Sequence, residues 1–459
     1  MSFFIDKIIE DTLKLQRNGL VGARLLNLLA KLHASYWYVP LIMAIAALLL
    51  SILTVFLDQT FVPQWLVSLG WFQTSKPDRA SAILSTIATS MMTVAGVIFS
   101  MTIVAVSFAA SQIGPRLISN FMRDRSNQIT LGTFIATFLF CLFILLALFN
   151  LNEDTASELD TKSFLPQISL LVAIILTLCS VGVLIYFIHH IPESINMSNV
   201  IGKVGEELTK QIDCLFPGNI GRGGSIAEPD ASIINKPGNA ISATQHGYIR
   251  ILDGASLLKI ASKYNFIIKV EARPGDYVTE NSTLLTIYCS NSITDAAKQE
   301  CIKTFIFGHE RNQEQDILFL INEMIEIIAR ALSPSMNDPF TAMTCMNWLQ
   351  LILEKVSRAN PPSSYRYDDN NKLRIIAAPI YFDEFCDLIL CRTRSYICKD
   401  RNATLHMLKV IHNVCMHICC EAHKTILIKH ASVFKNAAIS CQISENAKEI
   451  QNFYLKYFR

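Results

Sequence analysis

The sequence predicts an α-helical membrane protein with four transmembrane helices, followed by a C-terminal cytoplasmic α+β region that holds a small β-sandwich or barrel-like module. Three observations carry this. Only 17% of the 459 residues are charged and 51% are hydrophobic, where a soluble domain carries about a quarter charged residues. The apolar excess lies in residues 37–190, and the chain as a whole reaches a mean hydropathy of +0.34. Past residue 240, short β-rich runs give way to helical periodicity. The formal net charge of +2 gives no bulk-electrostatic case for nucleic acid, whose phosphates are held by many cations at once.

Residues 1–36 alternate apolar and polar at helical spacing through Phe4, Ile8, Ile9 and Leu13, then Leu20, Leu25, Leu26, Leu28 and Leu29. This fits an amphipathic helix on the inner leaflet or one packed on the cytoplasmic region. The opening MSFFIDKIIEDTLKLQ carries acids and lacks a small-residue cleavage site, so it is not read as a signal peptide. Four uncharged runs follow within 37–190, at 40–57, 83–110, 131–149 and 168–188. Each can cross a hydrocarbon core of roughly 30 Å at about 1.5 Å per residue. Tyr36, Trp37 and Tyr38 introduce the first as an interfacial aromatic belt. Lys7, Lys14, Arg17, Arg24 and Lys31 precede it, and Arg116, Arg123 and Arg125 follow the second run. The link between the third and fourth is acidic, with Glu153, Asp154, Glu158 and Asp160 against Lys162. The positive-inside rule then puts both termini in the cytoplasm.

The second run is longer than a bilayer requires. Thr86, Thr93, Ser100 and Ser107 recur every seven residues along it, with Thr89, Gly96 and Ala110 beside them. Such a small, weakly polar stripe either lets helices pack closely or lines a permeation path in an oligomer. No acid or base lies within it, which argues against a proton relay. Gly114 and Pro115 then break the helix. Arg116, Arg123 and Arg125 form a basic cytoplasmic mouth that either meets anionic headgroups or favours anions at a vestibule, with Asp124 available for local pairing.

Residues 191–240 read as a connecting helix and a Gly/Pro linker, and His189-His190 as an interfacial pair. Arg222-Gly223-Gly224 lacks the Gly-Lys-Ser/Thr of a phosphate loop. Residues 241–290 hold GYIRILD, NFIIKVEARPGDYV and TLLTIY, β-rich runs split by Gly and Asp. Their order is similar to the barrel-like sandwich of biotinyl and lipoyl carriers, without the carrier lysine. Lys259 and Lys263 fall in a stretch that reads helical.

Residues 291–459 read as mostly helical. Ile317, Leu318, Leu320, Ile321, Met324, Ile325, Ile328 and Leu332 mark a core-facing helix, ended by Ser333-Pro334. Asn337 or Asp338 caps the next helix, near Phe340. Arg311 and Gln315 share a helix face at i, i+4, and Asp316 and Asp338 read as caps and ion pairs, with ligand contact the alternative role for Arg311, Asp316, Asn337 and Asp338. His412, Cys415, Cys419 and His423 fall on one helix face, but one straight helix cannot surround an ion with all four. No metal and no cofactor is expected, and the cysteines are expected as reduced thiols in a cytosolic setting.

The runs MTVAGVIFSMTIVAVSFAASQIGPRLISNFMRDRSNQITLGTF, GYIRILD…RPGDYV, GHERNQEQD and ARALSPSMNDPFTAM resemble a family of bacterial predicted membrane proteins, catalogued as domain of unknown function 2254. The resemblance implies a multi-span inner-membrane protein with a soluble C-terminal part, and it brings no activity. Together with the stripe and the basic mouth, it leads to the expectation of a homo-oligomeric, channel-like or transport-related protein that passes or senses a small ion or metabolite, with a cytoplasmic regulatory part. The alternative is a membrane-anchored sensor or scaffold. No catalytic constellation is visible, so an enzyme is not expected.

Overall fold

The computed structural model describes residues 37–60, 77–113, 125–155, 166–224, 238–289 and 292–458. The chain separates into two units, Met1–Asn196 and Met197–Arg459.

In the first unit the four apolar runs each lie inside a helix: α1 Tyr38–Thr60, α2 Pro77–Ile113, α3 Arg125–Thr155 and α4 Gln167–Ile195. All four are long and apolar enough to cross a membrane. Helix α3 packs against the other three. Gly132 permits that approach, because a Cβ there would sit 2.6 Å from Met43 Sδ and 3.2 Å from the Pro40 Cα of α1. The shared core includes Leu84, Ala88, Phe140, Ile144 and Leu170. Outward, Leu49, Ile52, Val104, Leu178 and Ile185 stay exposed, the apolar surface that a bilayer rather than water accommodates. With 37 residues, α2 extends about 55 Å, well past a hydrocarbon core of about 30 Å.

Buried polar contacts help tie this bundle. Thr137 Oγ1 and Ser180 Oγ, both buried, meet at 3.1 Å between α3 and α4. Asp58, 5% exposed near the end of α1, accepts hydrogen bonds from Ile168 N at 2.7 Å, Ser169 N at 3.0 Å and Ser169 Oγ at 2.6 Å. These are orphan donors of the first turn of α4, whose own preceding residue, Pro166, makes no side-chain cap bond. A carboxylate at this position also complements the positive end of the helix dipole.

The second unit begins with α5 Met197–Gln211, which buries Ile201, Val204, Gly205 and Leu208 at helical spacing. Short strands follow: β1 Arg222–Gly223, β2 Asn239–Ser242 and β3 Gly247–Leu252. Helix α6 Gly254–Lys263 contains Lys259 and Lys263, as the sequence indicates. Then come β4 Ile267–Val270, β5 Tyr277–Val278, β6 Thr283–Tyr288, α7 Asp295–Ile302 and β7 Phe305–Gly308. Helices α8 Ile317–Ala331 and α9 Pro339–Arg358 precede the hairpin strands β8 Tyr365–Tyr367 and β9 Leu373–Ala377. The remainder is helical: α10 Phe382–Cys386, a π-helical turn Asp387–Cys391, α11 Arg392–Ile397, α12 Arg401–His417, α13 Glu421–Cys441 and α14 Ser444–Tyr457.

A mixed sheet and a smaller antiparallel one form, and neither closes among the described residues. One runs β1-β8-β9-β4-β6-β2 and the other β5-β3-β7. In the larger, β4 pairs antiparallel with β6 (Ile268 opposite Ile287) and parallel with β9 (Ile268 opposite Ile375). The barrel-like module expected within 241–290 is therefore corrected to open sheets. The edge of β4 is taken by β9, a strand from beyond residue 370, and β3 pairs with β7 from beyond residue 300. Both sheets feed one apolar core, which holds Ile249, Leu252, Ile268, Leu285, Ile287 and Phe305.

Candidate functional site

Helix α2 has two faces. Its buried seam is Leu84, Ala88, Met91, Ala95, Ile98, Thr102 and Ala105, alternating steps of four and three residues that keep one side toward the bundle. Thr86, Thr93, Gly96, Ser100 and Ser107 are all exposed. Thr86 stands two residues on from Leu84, about 200° around the helix at about 100° per residue. A Cβ on Gly96 would meet nothing within 4 Å. The stripe thus does no packing within its own bundle. Thr86 Oγ1 donates to Ala82 O at 2.7 Å and Thr93 Oγ1 to Thr89 O at 2.8 Å, which satisfies the hydroxyl protons along the helix itself. Gly114, Pro115, Arg116 and Arg123 lie outside the described residues. Arg125 is the exposed first residue of α3.

In the second unit two of the long motifs meet at Asp316. This residue caps α8 by accepting from Phe319 N at 3.2 Å, and it takes Arg311 Nε at 2.7 Å and Nη2 at 2.6 Å. Gly275, in the Arg273-Pro274-Gly275-Asp276 turn, has φ +97° and backs directly onto the carboxylate, where a Cβ would collide with it. Burial pushes the Asp316 carboxyl up in spite of the Arg311 guanidinium. Gln315 turns the other way, accepting from Leu252 N at 2.9 Å and donating to Leu252 O at 3.3 Å. Arg311 and Gln315 therefore share no helix face. The helix starts only at Ile317, because Asp316 supplies its cap, and the preceding residues form a loop. Asp338 accepts from Thr341 N at 3.1 Å and Thr341 Oγ1 at 2.6 Å at the start of α9. Exposed Asn337 adopts φ +45°. These residues join the end of β3 and the turn between β4 and β5 to α8, and start α9.

A third constellation lies at the π-helical turn. Asp387 Oδ1 stands 3.6 Å from Cys391 Sγ and 3.4 Å from His430 Nε2, and the three donor atoms fall within 4.8 Å of one another. Burial lowers the His430 pKa, with Asp387 acting in the opposite sense. Arg394 Nη2 donates to Cys391 Sγ at 3.2 Å. The sequence carries only a faint signal here: Asp387 and Cys391 flank an apolar run of three at i, i+4, and nothing in the spacing points to His430. The quartet that sequence grouped is dispersed. Helix α12 ends at His417 and α13 begins at Glu421. The His412 ring centroid lies 4.9 Å from that of Tyr457, and the His423 ring stacks on Phe382 at 4.2 Å.

Four helices able to cross a bilayer, with a separate helical and mixed-sheet unit after them, define a multi-span membrane protein with a folded C-terminal part. The chain belongs to the family described as predicted membrane protein (DUF2254), which matches residues 33–413. Uncharacterized proteins of Mycobacterium tuberculosis and Mycobacterium bovis are each 27% identical to it over 303 residues, 65% of this chain and 56% of theirs. The match thus spans little more than half the length of these curated relatives. No solved structure matches.

Proposed function

We propose that the protein is a homo-oligomeric channel or transport-related protein of the bacterial inner membrane, with both termini cytoplasmic and a conduction path along α2. One observation supports this above the others. The hydroxyl-bearing stripe of Thr86, Thr93, Gly96, Ser100 and Ser107 faces away from the three other helices, while the opposite side of α2 is an apolar packing seam. The stripe lies on the outer face of its own bundle among the described residues, so a path along it needs α2 from several copies. The stripe carries no charge, so it suits a small ion or solute passing by partial dehydration rather than a proton relay. In this reading the two sheets of the second unit stack as a small sandwich that serves as the regulatory part, and no catalytic step is involved.

Purified protein in liposomes is expected to pass small ions in a flux assay. Ser100→Leu is expected to cut that flux at least about tenfold while the oligomer, seen by native mass spectrometry, persists, because side chains lining a pore set its conductance. Absence of flux from an intact wild-type assembly, or disassembly by Ser100→Leu, would instead make the stripe a packing surface and favour a membrane-anchored sensor or scaffold.

A further inference from the structure

We propose that Asp387, Cys391 and His430 form a binding site for a zinc-class divalent ion on the second unit. The donor set is a carboxylate, a thiol and an imidazole, the ligand types of three-ligand zinc sites that keep a fourth position open. Thiolate with imidazole favours zinc, cobalt or copper over calcium and magnesium, which take oxygen ligands.

The two separations from the Asp387 oxygen match edges of a coordination shell. With Zn–S about 2.3 Å and Zn–N or Zn–O about 2.0 Å, tetrahedral edges are about 3.3 Å between O and N and about 3.5 Å between O and S. The protein holds Asp387 Oδ1 and His430 Nε2 3.4 Å apart, and Asp387 Oδ1 and Cys391 Sγ 3.6 Å apart. The first distance is long for a nitrogen–oxygen hydrogen bond.

The backbone sets this arrangement. Four residues apart on the π-helical turn Asp387–Cys391, Asp387 and Cys391 share one face. Ile389 and Leu390 in that turn are fully buried, as are Ala431 and Phe434 beside His430. Both supports are therefore fixed by core packing. The His430 side chain is 11% exposed and that of Asp387 70%, so the site has a buried wall and an open side for water. Two anionic donors match a divalent charge. Arg394 is hydrogen-bonded to the Cys391 sulfur and set over the Phe434 ring, so the sulfur is held in place from a second side.

The test uses full-length protein stripped with chelator. Cobalt titration is expected to give one equivalent bound with a thiolate-to-cobalt charge-transfer band. Cys391→Ser should abolish the band, and Asp387→Asn should weaken binding about tenfold or more; both positions are exposed, and circular dichroism checks the fold. In the wild type, zinc should protect Cys391 from alkylation while exposed Cys441 reacts at an unchanged rate. No cobalt band, a band that survives Cys391→Ser, or equal alkylation of Cys391 with and without zinc would overturn the site.

Discussion

Asp368 concentrates the titration behaviour of the β8–β9 hairpin in one side chain. Its carboxylate accepts from Arg374 Nε at 2.8 Å, from Asn370 N at 2.9 Å and from Lys372 N at 2.9 Å. The bond from Arg374 is the main cause that holds its pKa below the usual carboxylate range, helped by those backbone donors. A carboxyl depressed in the folded state adds stability above its unfolded pKa, about 3.9. That contribution is lost as pH falls through the depressed value. Thermal melts across a pH series are therefore expected to show the wild type losing stability below about pH 4. Asp368→Asn should melt lower at neutral pH and show a shallower acid slope. An unchanged slope would assign the acid sensitivity to other carboxylates. The hairpin interrupts a region whose sequence reads as mostly helical, and the Arg374 bond that gives its turn weight was not legible either.

Among the elements, the clearest coupling is the Asp58 bridge from α1 to the first turn of α4. Removing the side chain in Asp58→Ala leaves Ile168 N and Ser169 N without their acceptor, and the loss of a cap costs about 1 kcal/mol. Asp58→Asn keeps an oxygen acceptor and should lose less. Melting temperatures in detergent, followed by helical circular dichroism, are expected to rank wild type above Asp58→Asn above Asp58→Ala; equal melting for all three would show that the bridge contributes nothing. The contrast with the sequence is instructive at this scale. The four spans, the Asp338 cap and the Ile317–Ala331 helix were legible because apolar length, a capping residue and 3.6-residue spacing are local signals. Asp58 was not, because an acid just past an apolar run looks like a loop residue until its partner 110 positions away is known. The open sheet escaped for the same reason: the β4–β9 pairing joins Ile268 to Ile375. The triad at the π-helical turn combines both difficulties, a local irregularity in helix geometry and a distant histidine.

For the whole molecule, the number of spans constrains topology more tightly than any single residue. Four crossings place the two ends of the membrane domain on the same side whichever way it inserts. The proposed orientation rests on the distribution of Arg and Lys, which by the positive-inside rule sets the acidic residues 153–160 on the opposite side. The second unit supplies native reporters outside the proposed metal site, since Cys419, Cys420 and Cys441 are exposed and free. A membrane-impermeant maleimide applied to intact spheroplasts should leave all three unlabelled, and permeabilisation should make them reactive. A cysteine introduced at Glu158 should show the opposite pattern, reacting before permeabilisation. Labelling of the C-terminal cysteines from outside would invert the orientation, and with it the assignment of the Arg125 end of α3 to the cytoplasmic face. The label also tests the permeation reading indirectly, because a regulatory unit that reads a cytoplasmic ion has to lie where that ion is found.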